Sequence, residues 1–481
     1  AIPAGLLGLA LAWIGAKLLV AFGPADLPRL KEVGIDGRVA LFALGVTVLT
    51  GLLCGLAPAL RAYRADLVGA LKEGGKTADP GSSRHLLRNG LVVAEIALAL
   101  TVLVGTGLTL RSLQHILATD PGFRTDHVLT LQLDLSSTKY RSPVDRTAFY
   151  RSLLERLRGV PGVAAVGMNS SLPPADRLMG GIPTVEGRQV EPGVEDGIVR
   201  YGMISPGYFS ALDVPVLEGR AFDQRDDAEA TPVAIVDEVL AKRYWPGQSA
   251  LGRRLSLPGI EPDGKWRTVV GVVRQVRDQG QGTDVTDQLY VPYPQLPLAA
   301  LGVALRTAGD PMTVAPEVRE AVWAVDPAQP LAEVQPMDRR LSATLAQPRF
   351  NGLVFGLFGL VALLLAGIGV YGVMAYSVSQ RRQEIGVRMA LGARAADVLR
   401  LITGKALLLA LVGIVVGVGL SVLLGSVLSS FLEGLAYGVE TTDLLTFVAV
   451  PVVLALLALV ASYLPARRAT RIDPLVALRH D

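Results

Sequence analysis

Cysteine is almost absent: Cys54 is the only one in 481 residues. No intrachain disulfide can form, and no cysteine cluster can hold a metal. Histidine is nearly as scarce. His85, His115, His127 and His480 are scattered and form no HExxH pattern, so they read as ordinary surface or loop side chains. A strong excess of one charge is also missing. The net charge of +3 is too small for a nucleic-acid binder. No GxSxG elbow or carboxylate pair stands out, so an enzymatic role has little support, and no cofactor or metal is expected. ALKEGGKT, residues 70–77, fits a loosened phosphate loop, but Ala70 stands where the strict form has Gly. The flanking sequence offers a basic helix and a flexible linker rather than the strand and helix such a loop needs, so nucleotide binding is set aside.

What the chain has in abundance is apolar sequence, 51% of its residues, gathered into runs at 4–22, 39–57, 90–110, 352–376, 405–429 and 445–464. Each is close to the ~20 residues that cross a hydrocarbon core. Six membrane spans are therefore expected, and Cys54 falls inside the second. Ionisable residues within spans are costly and often functional, which singles out Glu95 as an intramembrane polar candidate. Its depth of about a turn also fits snorkelling or a helix–helix hydrogen bond. Lys17 and Lys405 sit near span ends and are expected to snorkel, and Pro451 is expected to kink the sixth span.

The chain opens at Ala1, enters an apolar run almost at once, and shows neither a basic n-region nor a small-residue cleavage site. No signal peptide is read there. PALRAYRADLVGAL (58–71) and PARRATRIDPLVAL (465–478) share eight of fourteen positions at an offset of 407, each directly after an apolar run. Self-similarity in matching context points to duplication. On that offset residue 1 aligns with Leu408. Residues 1–74 are then expected to be the tail of a first repeat that started earlier, 75–89 a cytoplasmic linker, and the remainder a complete second repeat. That repeat comprises one span (90–112), a large insert (113–345) and a three-span region (346–481).

Positive charge sets orientation. Arg61, Arg64, Lys72, Lys76, Arg84 and Arg88 follow the second run. Arg381, Arg382, Arg388, Arg394 and Arg400 follow the fourth, and Arg467, Arg468, Arg471 and Arg479 the sixth. The 431–443 loop has no Lys or Arg but carries Glu433, Glu440 and Asp443. The basic segments are therefore assigned to the cytoplasm and the insert to the other side. The 23–38 loop, with Arg29, Lys31 and Arg38, fits this less well. The insert reads as mixed α/β: strands at VLTLQLDLS near 128 and WRTVVGVV near 266, an amphipathic helix at RTAFYRSLLERLRG near 146, and turns at SPGYF and YWPGQ. LRSLQHILAT and MDRRLSATLAQ at its borders keep helical composition and suggest a paired stalk.

SQRRQEIGVRMALGARAADVLRLI, 379–402, packs five arginines and two acids between two apolar runs. Glu384 and Arg388 are four apart with the acid first, the favourable order for a helical ion pair. Ile385 and Met389 share one face, while Arg381, Glu384 and Arg388 lie near another. Gly392 is a natural break before a new helix near Ala395. A topogenic loop touching lipid headgroups would explain the arginines. The added acid and apolar residues favour a protein partner.

RRQEIGVRMALGA (381–393) resembles the signature between the second and third spans of MacB/FtsX-type ABC transporter permeases. The layout of one span, a large outer domain, three spans and a PARRAxRIDPxxALR tail is similar to that family. So are SPGYFSALDVPVLEGRAF (205–222) and PVAIVDEVLAKRYWPGQSALGRRL (232–255), phrases typical of its periplasmic core domain. Doubling of the unit resembles the duplicated orphan permeases of acidobacteria. The resemblance implies a bacterial inner-membrane helical protein with a periplasmic α/β domain on a helical stalk. It implies that 379–393 is a coupling helix docking on a separate MacB-like ATPase through Arg381, Arg382, Glu384, Ile385, Gly386, Arg388, Leu391 and Gly392. ATP would be hydrolysed on that subunit, not on this chain. A periplasmic adaptor, an outer-membrane channel and a second copy of the chain are candidate further partners. An exporter is the leading reading. An FtsX-like mechanical regulator of an envelope protein is the alternative, which the size of the insert disfavours.

Overall fold

The structure, a computed structural model, describes residues 2–22, 34–63, 82–174, 179–188, 198–258, 260, 264–277, 287–427 and 443–470. The 70–77 segment and most of the two matched motifs beyond 63 and 470 lie outside these residues. The chain divides into two compact units, one made of Ala1–His115 with Ala346–Asp481 and the other of Ile116–Leu345.

The Ile116–Leu345 unit is built on a mixed sheet. Val128–Asp134 pairs antiparallel with Ala300–Thr307 and with Ala332–Pro336, and 300–307 pairs onward with Val163–Asn169. Val199–Ile204, Gln288–Pro292, Val233–Asp237 and Arg267–Val273 extend it, with 199–204 parallel to 288–292 and 233–237 parallel to 267–273. The strands expected near 128 and 266 are therefore present. Alternation decides their faces: Leu129, Leu131 and Leu133 enter one core, while Val128 enters the core on the opposite side.

The helix expected near 146 runs Pro143–Arg158. Ser142 and Asp145 form a reciprocal capping box, and Pro143 takes a first-turn position where its missing N–H costs nothing. Phe149, Tyr150, Leu153, Leu154 and Leu157 then fall on one buried stripe against the sheet. Burial at roughly 1.5–3 kcal/mol per large apolar side chain holds this cysteine-free unit together. SPGYF turns at Gly207, whose φ of 93° suits a residue without Cβ, into the short helix Tyr208–Leu212 on the sheet's other face.

In the other unit the described residues of all six apolar runs lie in helices, but the four that are long and apolar enough to cross a membrane are within Arg88–Ala118, Met337–Gln380, Ala395–Val427 and Leu444–Ala469. The first two runs form Ile2–Phe22 and Gly37–Tyr63, whose searched portions, Ile2–Lys17 and Gly37–Leu52, are shorter. Four of the six expected spans thus stand on length and composition. The 444–469 helix continues through Pro451. LRSLQHILAT continues the Ser82–Ala118 helix, and MDRRLSATLAQ forms Met337–Thr344 followed by Ala346–Gln380.

Small residues are interspersed with larger apolar ones on the inner faces of these helices. On 395–427 the buried stripe includes Ala406, Ala410, Gly413 and Gly417, while Leu408, Leu411, Val415 and Val416 face outward. A Cβ at Gly417 would stand 2.9 Å from the Ala97 carbonyl oxygen, and one at Gly413 would stand 2.8 Å from Ile96 Cβ. Thr106 Oγ1 donates across to the Phe355 carbonyl at 2.8 Å. Asp443 caps the 444–469 helix by accepting from Thr446 N at 2.9 Å, and it pairs with Arg111 of the 82–118 helix. Hydrogen bonds from Arg111 and Thr446 pull its carboxyl down to about 2.

Two tests follow from these contacts. Asp443→Ala should lower stability of the detergent-solubilised chain by about 1 kcal/mol, the usual worth of such a cap, read as faster hydrogen exchange over 443–448. An unchanged exchange rate there would show that the cap carries no weight. In the other unit Asp237 is fully buried and caps Glu238–Tyr244, accepting from Leu240 N at 2.7 Å and Gln288 N at 3.0 Å. Burial pushes its carboxyl up to about 7, against the pull of those N–H groups. A raised folded value means the contribution is complete below the ordinary carboxylate range and is lost as pH rises through about 7, at up to ~1.4 kcal/mol per unit. Hydrogen exchange over 233–244, corrected for its intrinsic pH dependence, should therefore quicken as pH rises from ~4 to ~7 and level off above that. Protection that stays level across that range would contradict this.

Candidate functional site

The patch at 381–392 folds as its spacing suggests. Arg382–Ala390 is a helix directly after 346–380. Its end is a Schellman turn: Gly392 has φ 93°, its N–H donates to Met389 O at 3.1 Å, and Ala393 N–H donates to Arg388 O at 2.9 Å. Ala395–Val427 begins immediately afterwards. Arg388 Nη2 meets Glu384 Oε1 at 2.8 Å, and Arg381 Nε lies 3.9 Å from Glu384 Oε2. All three side chains are about half exposed, so each pair contributes only ~0.3–0.5 kcal/mol to the helix.

The two faces of this helix differ sharply. Ile385 is 4% exposed and joins the core of the membrane unit with Met374, Val378, Val398 and Ile402. Gly386 is buried and Met389 packs at the edge of the same core. Val387 is 40% and Leu391 83% exposed. Among the eight residues singled out from sequence, Ile385 and Gly386 seat the helix, and Gly392 ends it. Arg381, Glu384, Arg388 and Leu391 are presented outward. The Arg382 side chain lies outside the described residues. Sequence reasoning passed over Val387, which shares the outward side with Leu391.

The other candidates lie elsewhere. Glu95 is partly buried in the 82–118 helix, and its carboxylate rests against Gly369 of the 346–380 helix so closely that any Cβ there would collide with it. It is not near the 381–392 patch. Lys17 lies 3.9 Å from the Trp13 ring centroid, one turn away. Lys405 lines a narrow crevice with Arg381, Glu384 and Ile385, beside the patch. Among the described residues no group of His, Cys, Asp and Glu gathers to hold a metal.

A MacB-like periplasmic core domain family model matches residues 90–325, and an FtsX-like permease C-terminal model matches 356–474. Curated relatives include the pyoverdine export ATP-binding/permease protein PvdT of Pseudomonas aeruginosa. It is 27% identical over 308 residues, covering 58% of this chain and 43% of the relative. The macrolide export ATP-binding/permease protein MacB of Rhodospirillum rubrum is 29% identical over 343 residues, covering 66% of this chain and 50% of the relative. The chain thus spans half or less of the length of these relatives. The crystal structure of the periplasmic region of MacB from Actinobacillus actinomycetemcomitans covers 47% of this chain and 96% of that one, at 15% identity and a TM-score of 0.32. That last likeness adds nothing to the fold described above. With the core-domain match followed by the permease match, and apolar helices on both sides of the first, the chain belongs to the MacB/FtsX-type ABC transporter permeases and is a multi-pass inner-membrane protein with a periplasmic domain.

Proposed function

We propose that the chain is the permease element of an export system, coupling ATP hydrolysis on a separate cytoplasmic ATPase to movement of its periplasmic domain. The observation that carries this is the two-faced 382–390 helix. Buried Ile385 ties it to the cytoplasmic ends of the 346–380 and 395–427 helices, while Glu384, Val387, Arg388 and Leu391 face outward. A push on the outer face is then transmitted to spans rather than absorbed by a slack loop. A charged rim around exposed apolar residues suits a protein surface better than water alone. The names of the relatives, export ATP-binding/permease proteins, support ATP-driven export. An adaptor, an outer-membrane channel or a second copy would meet the periplasmic domain.

We also propose that Ile2–Phe22 and Gly37–Tyr63 cross the membrane as a second copy of the last two spans. Gly37 and Leu444, the first residues of their helices, stand 407 apart, the offset of the matched motifs.

Association with a co-expressed MacB-like ATPase tests the coupling role. Glu384→Arg and Arg388→Glu should each weaken association about tenfold, and the double swap should restore part of it. Ile385→Ala should cost about 2–4 kcal/mol of local packing and uncouple ATP turnover, while exchange protection in the periplasmic domain stays unchanged. Association and turnover indifferent to all of these would leave 381–392 as a topological anchor.

A further inference from the structure

The 82–118 and 346–380 helices flank the periplasmic domain in the sequence, and they meet at several levels along their length. A Cβ at Gly352 would lie 3.3 Å from Leu113 and 3.6 Å from Leu110. One at Gly359 would lie 2.9 Å from Thr106 and 3.3 Å from Leu103. Further along, the Glu95 carboxyl rests on Gly369, and Arg88 stacks 3.9 Å from the Tyr376 ring centroid. As the numbers fall on one helix they rise on the other, so the two run antiparallel in one continuous register. From 88 to 113 this line of contacts covers roughly 37 Å at ~1.5 Å per residue. That exceeds the ~30 Å hydrocarbon core.

Two of these seats receive a polar side chain. At Gly359, Thr106 Oγ1 donates at 2.8 Å to the carbonyl of Phe355, four residues earlier on the same helix. Residues four apart share a helix face, so that carbonyl lies on the side where the glycine has no side chain. At Gly369 the carbonyl four residues earlier is that of Leu365. In both seats the atom nearest the place of the missing Cβ is the oxygen of the incoming side chain, Thr106 Oγ1 in one and Glu95 Oε2 in the other. Each glycine thus lets a polar group approach the backbone of the partner helix. The stripe that Glu95 belongs to is otherwise hydrocarbon, with Leu91, Leu98 and Val102 exposed along it. An ionisable residue within a span is costly, and leucine would continue the stripe without that cost. What the acid adds is a polar end long enough to reach the Gly369 backbone.

We propose that Glu95 is a positioning residue. Seated on Gly369, it locks the 82–118 and 346–380 helices in a single antiparallel register, so that the two shift along their axes together. Its purpose rests on the coupling reading above, in which a push on the 382–390 helix enters at the end of the 346–380 helix. The Thr106 seat is nearer the periplasmic end, while the Glu95 seat is nearer the end where the push arrives. The lock passes that push to the 82–118 helix, rather than letting one helix slide along the other.

The test uses the full chain in nanodiscs, in a Cys54→Ser background that removes the only native thiol. Disulfide formation by the pair Leu113→Cys and Gly352→Cys reports the native register. Leu113→Cys with Gly356→Cys reports a slip of one turn, and a Cβ at Gly356 meets nothing within 4 Å. Glu95→Ala should raise the slipped-to-native ratio about threefold, the usual weight of one polar contact between membrane helices. Gly369→Ala, which turns the carboxyl out of its seat, should do the same. The double change should do no more than either alone, because both remove one contact. Glu95→Gln, equal in length and still polar, should keep the parent ratio. The proposal is overturned by an unchanged ratio in both alanine variants, by additive effects in the double, or by a Glu95→Gln effect equal to that of Glu95→Ala. ATP turnover with a co-expressed MacB-like ATPase gives a second readout. It should fall with Glu95→Ala and hold with Glu95→Gln, while association stays level. Turnover that ignores a shifted register would overturn the positioning role. An ATPase that never associates with the parent chain counts against the coupling reading instead, and the crosslinks still decide the register.

Discussion

Close approach between helices in lipid is the constraint on which the membrane unit depends. Within hydrocarbon, burying Leu against Leu yields little, because lipid tails are as apolar as the side chains they would replace. Association then relies on contact area and on polar groups meeting across the interface. Gly413 and Gly417 let the 395–427 helix press against Ile96 and Ala97 of the 82–118 helix, and Thr106 donates to a carbonyl of the 346–380 helix. Leu408, Leu411, Val415 and Val416 on the other side of the 395–427 helix are left exposed.

The periplasmic domain obeys the opposite logic. In water, large side chains are driven inward, so Phe149, Tyr150, Leu153 and Leu157 carry its core with no disulfide required. Close approach at small residues thus marks the helix contacts of one unit, and burial of large side chains marks the core of the other. Burying Asp237 in that second core raises its proton affinity, so this unit loses stability as pH rises towards neutral.

The 382–390 helix sits where these preferences hand over. It lies beyond the hydrocarbon, so Ile385 can be drawn inward as in a soluble protein, against Val378, Val398 and Ile402. That single anchor gives the helix its orientation. It also places Arg381 and Lys405 on one narrow crevice.

Much of this was legible in the chain. Apolar runs near twenty residues long located the helices, because hydrocarbon thickness fixes that length. Period-two alternation marked the strands at 128 and 267, and the spacing of Glu384 and Arg388 foretold their ion pair, since helix geometry alone places residues four apart side by side. Family membership was carried by RRQEIGVRMALGA and the core-domain phrases. Sequence could not tell that Ile385 turns inward while Val387 and Leu391 turn out, because an amphipathic pattern names a face but not what covers it. Nor could it tell that Arg88 would stack on Tyr376. They lie hundreds of residues apart along the chain, and their proximity follows only from how the helices pack against one another.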